Sequence, residues 1–164
     1  MISKADIFGY TPKKEYSKSV AYFSMEFAID QSLKIYSGGL GFLAGSHMRS
    51  AFELKQNLVG VGMLWKYGYY DQIRGTNGAM KPEYVQKYYS FLTDTGIVFP
   101  VEVHSATVYV KAFLLKPDVF ESAPIFLLST DIDQNDSVSR TITNRLYDSN
   151  EATRIAQSIV LGIG

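Results

Sequence analysis

Apolar positions fall in short runs separated by polar and glycine-rich breaks, and the spacing inside each run predicts an element. Val20-Ala21-Tyr22-Phe23-Ser24-Met25-Glu26-Phe27 is nearly continuous and rich in β-formers, the pattern of a strand covered on both faces in a parallel sheet. After Tyr36-Ser37-Gly38-Gly39-Leu40-Gly41, the residues Leu40, Leu43, Ala44, Met48, Ala51 and Leu54 or Lys55 recur at helical spacing. Leu58 to Trp65 is a second apolar run, more strand than helix by its length and β-branched content. Strand, glycine loop, helix, strand is the βαβ grammar of a doubly wound fold.

The remainder has a different texture. Tyr67 to Ile73 reads as aromatic and extended, Asn77-Gly78 as a tight turn, and the class of Lys81 to Leu92 stays open. Val101 to Val103 and Thr107 to Leu115 predict an antiparallel hairpin turning near Ser105-Ala106, with Val108, Val110, Ala112 and Leu114 on one face. Pro124 to Thr130 predicts another buried strand. A last helix is expected from an N-cap at Ser149 or Asn150, with Ala152, Ile155, Ala156 and Ile159 as its apolar stripe. It halts on Leu161-Gly162-Ile163-Gly164, which reads as a cut edge rather than a closing turn. Residues 1–18, with four lysines and little apolar periodicity, are expected to form a lead-in segment poorly ordered at its start.

Composition narrows the function classes. With 46% hydrophobic residues in 164, the chain can bury a core as one unit. Sixteen basic and sixteen acidic residues cancel, so no net field recruits nucleic acid or an anionic membrane. A neutral or small ligand is the expected partner. The absence of cysteine removes disulfides and thiol metal sites and suits a reducing cytoplasm. No apolar run is long enough to cross a bilayer.

The Gly38-Gly39-Leu40-Gly41 loop is the sharpest chemical feature. Glycines between strand and helix let backbone N–H groups approach a phosphate or a sugar hydroxyl while the helix dipole favours negative charge. They serve equally for tight turns and close packing. The spacing is neither the dinucleotide fingerprint nor a P-loop. Glu26 stands where open α/β sheets place ligand-contacting groups, or else forms an ion pair within the fold. His47 on the helix can hydrogen-bond a ligand or cap a carbonyl, and His104 beside the hairpin turn reads as a surface residue. Trp65, Tyr67, Tyr69 and Tyr70 can stack on sugar rings or simply pack. No metal cluster, nucleophilic triad or catalytic carboxylate pair assembles from these residues.

Four segments, Val20 to Asp30 (VAYFSMEFAID), Tyr36 to Ser50 (YSGGLGFLAGSHMRS), Leu58 to Gln72 (LVGVGMLWKYGYYDQ) and Leu146 to Gly164 (LYDSNEATRIAQSIVLGIG), resemble the N-terminal domain of α-glucan phosphorylases in order and spacing. The shorter bacterial and archaeal type is the nearer match. The resemblance implies an α/β fold in which residues 1–164 are a partial N-terminal lobe: Rossmann-like with a parallel sheet and an antiparallel hairpin insertion, half of a two-lobed glycosyltransferase. It implies transfer of a terminal α-1,4-linked glucosyl unit to orthophosphate, giving α-glucose 1-phosphate. Pyridoxal phosphate would serve as proton relay, bound through a lysine of the second lobe that this chain lacks. By the same resemblance Gly38 and Gly39 would offer N–H groups to the substrate phosphate, Leu40 would hold the glucosyl unit through its backbone, and Glu26 would line the pocket. The substrate- and phosphate-binding candidates are thus Gly38, Gly39, Leu40, Gly41, Glu26 and His47, with no residue nominated for catalysis, cofactor or metal.

The partners implied are α-1,4-glucan, phosphate, the missing C-terminal lobe and a homo-oligomer. Ser46 and Ser158 stand where the family often has Asp and Glu, so no ligand role is carried to them. Gly75 to Tyr89 looks short beside the animal and plant enzymes, whose allosteric contacts are likewise not carried over. The rival readings are a glycogen or starch synthase-like lobe, against which VAYFSMEF and GYYDQ speak, and a non-catalytic carbohydrate- or phosphate-binding module.

Overall fold

The computed structural model describes residues 3–164 and builds one five-stranded sheet from two kinds of pairing. β1 (Val20–Phe23), β2 (Leu58–Met63) and β7 (Ile125–Ser129) run parallel, with Val20 opposite Leu58 and Gly60 opposite Ile125. A hairpin of β5 (Thr93–Val103) and β6 (Ala106–Leu115) extends the sheet antiparallel to β7, giving the order β1-β2-β7-β6-β5. The α/β class holds, and the parallel half is compatible with a Rossmann-like lobe. The hairpin, expected as an insertion, is part of the main sheet. A second two-stranded sheet pairs β3 (Asp71–Arg74) with β4 (Met80–Glu83) across the Asn77-Gly78 turn, where Gly78 adopts a φ of 81°.

The helix α2 (Gly39–Glu53) connects β1 to β2 and buries Ala44, Met48 and Ala51 against the sheet. Phe27, Trp65, Leu114, Ile125, Leu127 and Leu146 complete the centre of the core at 0–2% exposure. Gly60 and Gly62 make room for the Phe27 ring: a Cβ at Gly62 would meet it at 2.8 Å. Trp65 lies in the core with its indole N–H donated to the Met25 carbonyl at 2.9 Å, which settles that aromatic as packing.

Several boundaries differ from those read in the sequence. The first strand stops at Phe23 rather than Phe27, because the Ser24 hydroxyl donates to the Glu26 carbonyl at 2.8 Å and turns the chain. β1 is also an edge rather than a doubly covered strand, with Val20 and Phe23 about half exposed. β5 starts at Thr93 rather than Val101, bends at a register shift beside Gly96, and tolerates Pro100 because it forms the opposite edge. The hairpin turns at His104-Ser105, both at positive φ, one residue before the expected place.

Residues 1 and 2, where poor order was expected to begin, lie outside the described residues. Within 3–18 there is regular structure: α1 (Lys4–Phe8) is closed by a Ser3/Asp6 capping box, and Phe8 is buried against Tyr10. A 3-10 turn follows at Lys14–Tyr16. A one-turn helix, α3 (Pro117–Phe120), leads into β7. In α4 (Glu151–Ile163), capped by the Asn150 side chain on the Thr153 N–H, the buried stripe is Ala156, Gln157, Val160 and Leu161. Ala152 and Ile155, expected to face inward, are exposed, because the buried Gln157 amide anchors the helix by donating to the carbonyls of Ile142 and Arg145. No described helix is long and apolar enough to cross a membrane.

Candidate functional site

The chain turns after β1 and returns to the start of α2, so Glu26 meets the glycine loop. Its side chain is 2% exposed. The carboxylate accepts the Ser37 N–H at 2.6 Å, the Gly38 N–H at 3.2 Å and the Ser37 hydroxyl at 3.2 Å. A fourth donor is the hydroxyl of Tyr147, just before α4. A helix start is a natural anion site, and here the protein's own carboxylate takes part of it. Among the described residues no Lys or Arg pairs with it, the ion-pair alternative, and all four donors are neutral.

The two glycines expected to face a phosphate stand differently. The Gly38 N–H is engaged by Glu26, so of the two glycines expected to face a phosphate, Gly39 has the free N–H. Among the described residues no acceptor meets the N–H groups of Gly39, Leu40 or Gly41, and the Phe42 N–H donates to the Gly38 carbonyl. Glu26 itself, expected to line the pocket, holds the loop from behind.

The glycines divide by role. A Cβ at Gly38 or Gly39 would meet nothing within 4 Å, so their backbone faces open space. A Cβ at Gly41 would lie 2.6 Å from the Tyr36 Cβ and 3.1 Å from the Glu26 Oε2, so Gly41 is required for packing. The packing reading thus applies to Gly41, while Gly38 and Gly39 are left uncrowded. Leu40 projects from the first turn at 46% exposure. His47 sits two turns further along α2, exposed and edge-on to the Tyr22 ring at 4.9 Å. No hydrogen bond joins it to the loop or to Glu26 among the described residues. Ser46 is exposed, and the exposed Ser158 returns its hydroxyl to the Arg154 carbonyl at 3.0 Å.

Tyr147 is the partner of Glu26 that reading by type missed. It has a φ of 55°, a left-handed conformation that costs a tyrosine about 1–2 kcal/mol. Its only sequence signal is its place in the segment Leu146 to Gly164. Burial, and then its hydrogen bond to Glu26, push its phenol up to about 12. A group raised in this way stabilises the fold fully below its ordinary value near 10, and that contribution is lost as pH rises through about 12. Tyr10 and Tyr89 are raised to about 12 as well, mainly by burial. Spectrophotometric titration of tyrosinate should therefore show three late phenols, and Tyr147→Phe should remove one of them while lowering stability by about 1 kcal/mol. An unchanged count of late phenols would refute the contact.

A pocket of about 360 Å³ adjoins the loop through Tyr36 and Ser37. Tyr67, Tyr69, Tyr70 and Gln72 line it from the segment around β3, together with Lys34 and the ion pair of Asp71 with Lys87. No lysine near the loop is a buried free amine: Lys87 and Lys66 are ion-paired with Asp71 and Asp131, and Lys34 is exposed. The residues present do not fit a lysine-bound aldehyde cofactor.

No protein-family profile matches the chain. It is 60% identical over 147 residues, 90% of its length, to an uncharacterized protein of Methanocaldococcus jannaschii, covering 28% of that protein. It is 36% identical over 158 residues, 92% of its length, to the maltodextrin phosphorylase of Thermococcus litoralis, covering 19% of it. It is 33% identical over 156 residues, 88% of its length, to the glycogen phosphorylase of Mycobacterium tuberculosis, covering 18% of it. The chain thus spans between 18% and 28% of the length of these curated relatives. Over about nine-tenths of its own length it is a homologue of a segment of the glycogen and maltodextrin phosphorylases.

Proposed function

We propose that this chain is the N-terminal part of a cytoplasmic α-glucan phosphorylase, the lobe that presents a glycine loop to the phosphate and the terminal glucosyl unit. The observation that carries the reading is the identity of 33–36% to phosphorylases across about nine-tenths of the chain. The geometry supports it, since Glu26 and Tyr147 bind the loop while the Gly39 N–H has no acceptor among the described residues and the Cβ side of Gly38 and Gly39 is open. N–H groups held in place before substrate arrives stabilise charge without reorganising.

In this reading Gly39 donates to a phosphate oxygen at the start of α2, and the Leu40 backbone contacts the sugar. Pyridoxal phosphate, implied by the resemblance, would supply a phosphate group for proton transfer and would be held by residues outside 1–164. Catalysis therefore requires the rest of the polypeptide.

The test is phosphorolysis. The complete protein carrying this segment, loaded with pyridoxal phosphate and given maltodextrin and orthophosphate, should release α-glucose 1-phosphate, whereas the 164-residue chain alone should release none. Absence of the product from the loaded complete protein would remove the reading. Product from the chain alone would overturn its dependence on a second lobe.

A further inference from the structure

The Asn77-Gly78 pair that closes β3 onto β4 carries a chemistry the turn itself does not use. Asparagine is a labile side chain: the backbone nitrogen of the next residue can attack its side-chain carbonyl carbon, and a bulky next residue hinders the approach. Of Asn57, Asn77, Asn135, Asn144 and Asn150, Asn77 alone precedes a glycine. A Cβ at Gly78 would meet nothing within 4 Å, so nothing crowds that side of its backbone. The others are protected. Asn57 and Asn135 are buried with their NH₂ groups donated, and Asn144 and Asn150 precede Arg145 and Glu151.

The turn also arranges the electrophile. Asn77 Oδ1 accepts the Ala79 N–H at 3.1 Å, which folds the side-chain carbonyl back along the Gly78 backbone. Oδ1 is the atom that gathers negative charge as that carbonyl becomes tetrahedral, and a donor already in place favours the charged state. The attacking nitrogen is held by one bond, from the Gly78 N–H to the Gly75 carbonyl at 2.9 Å, which must open first. Opening it disturbs no core. Asn77, Gly78 and Ala79 are exposed, and so are all of β4 and most of β3, the kind of segment that opens locally at low cost.

We infer that Asn77 is a self-modification site, converted without an enzyme to aspartyl and isoaspartyl residues. The Gly78 nitrogen gives its proton to solvent base and bonds to Asn77 Cγ, the Cγ–Nδ2 bond breaks, and Nδ2 leaves as ammonia, closing a cyclic imide. Water then opens the imide. Addition at Cγ restores the ordinary backbone with an aspartate, and addition at the main-chain carbonyl carbon leaves the backbone running through Cβ and Cγ. No redox partner or cofactor enters. Both products place a new carboxylate at the tip of the β3–β4 sheet. The second also lengthens the main chain inside the turn that the Gly75 N–H closes on the Ala79 carbonyl at 2.8 Å. The step uses none of the chemistry proposed above and is tested apart from it.

The experiment is peptide mapping of the complete protein carrying this segment, aged in warm, mildly alkaline buffer both natively and in urea. In the native sample the Asn77 peptide should exchange –NH₂ for –OH at least about tenfold faster than the peptides of the other four asparagines. It should also accept a methyl label from a protein isoaspartyl methyltransferase used as a reagent. Asn77→Gln should silence both signals in that peptide. Ala79→Pro, which deletes the donor on Oδ1, should slow the native reaction about threefold or more and leave the rate in urea unchanged. A native protein that stays unmodified while the urea-unfolded chain reacts would mean that the turn protects Asn77, and would overturn the inference. Equal rates at the other asparagines, a label that survives Asn77→Gln, or an undiminished native rate in Ala79→Pro would overturn it as well.

Discussion

Gly45→Ala should be the most damaging conservative substitution in the chain, lowering stability by about 3 kcal/mol and the melting temperature by roughly 6–12 °C. Alanine is the better helix former by about 1 kcal/mol, so propensity alone gives the opposite sign. The steric geometry decides. A Cβ at Gly45 would lie 2.1 Å from the Ala28 carbonyl oxygen and 2.8 Å from its carbon, and that backbone is tied down by the Ala28 N–H donating to the Gly41 carbonyl at 2.9 Å. No flexible side chain can yield there. α2 would have to lift from the turn after β1, loosening Ala44, Met48 and Ala51 in the core. Gly39→Ala is the matched control: its Cβ would meet nothing within 4 Å, so stability should stay within about 0.5 kcal/mol of the wild type. Thermal melts of the two variants decide the matter, and a Gly45→Ala melt within about 2 °C of the parent would refute the account.

That pair of glycines also shows what the sequence could and could not reveal. Periodicity identified α2, the strands β2, β6 and β7 and the final helix, because each depends on a local alternation of apolar and polar residues. It overextended β1, because the Ser24 hydroxyl ends the strand through a bond to Glu26 that no hydrophobic pattern encodes. Of the β3–β4 sheet, the extended stretch to Ile73 and the Asn77-Gly78 turn were legible, but most of β4 lay in the stretch left open, because these strands are almost wholly exposed and no buried face impresses a period on the sequence. The glycine loop was visible as a site candidate, but which glycine faces solvent and which touches Glu26 is a matter of distances. Tyr147 was invisible for the same reason: it meets Glu26 from 121 positions away.

Glu26→Gln should lower stability by about 1.5–3 kcal/mol at neutral pH, the range for hydrogen bonds to a charged group, and the deficit should shrink on acidification. Burial works to raise the Glu26 carboxyl. The Ser37 N–H, the Tyr147 hydroxyl, the Gly38 N–H and the Ser37 hydroxyl outweigh it and hold the group below its ordinary value. A carboxylate depressed in the folded state gives stability that is fully present above its unfolded value, near 4.3, and lost as pH falls through the lower folded one. The wild type should therefore lose stability with acid over that window, whereas the glutamine variant lacks this component and the two curves converge. The amide is isosteric, but Oε2 accepts both loop N–H groups and Oε1 both hydroxyls, so a glutamine either turns its NH₂ toward both N–H groups or keeps them on an uncharged oxygen and makes the Ser37 and Tyr147 hydroxyls accept instead of donate. The loop should then be held less firmly in the shape that leaves the Gly39 N–H free. Urea denaturation of both proteins at a series of pH values checks the prediction. A stability difference that stays constant from neutral pH to below the ordinary carboxylate range would mean that Glu26 does not hold the loop as a charged acceptor.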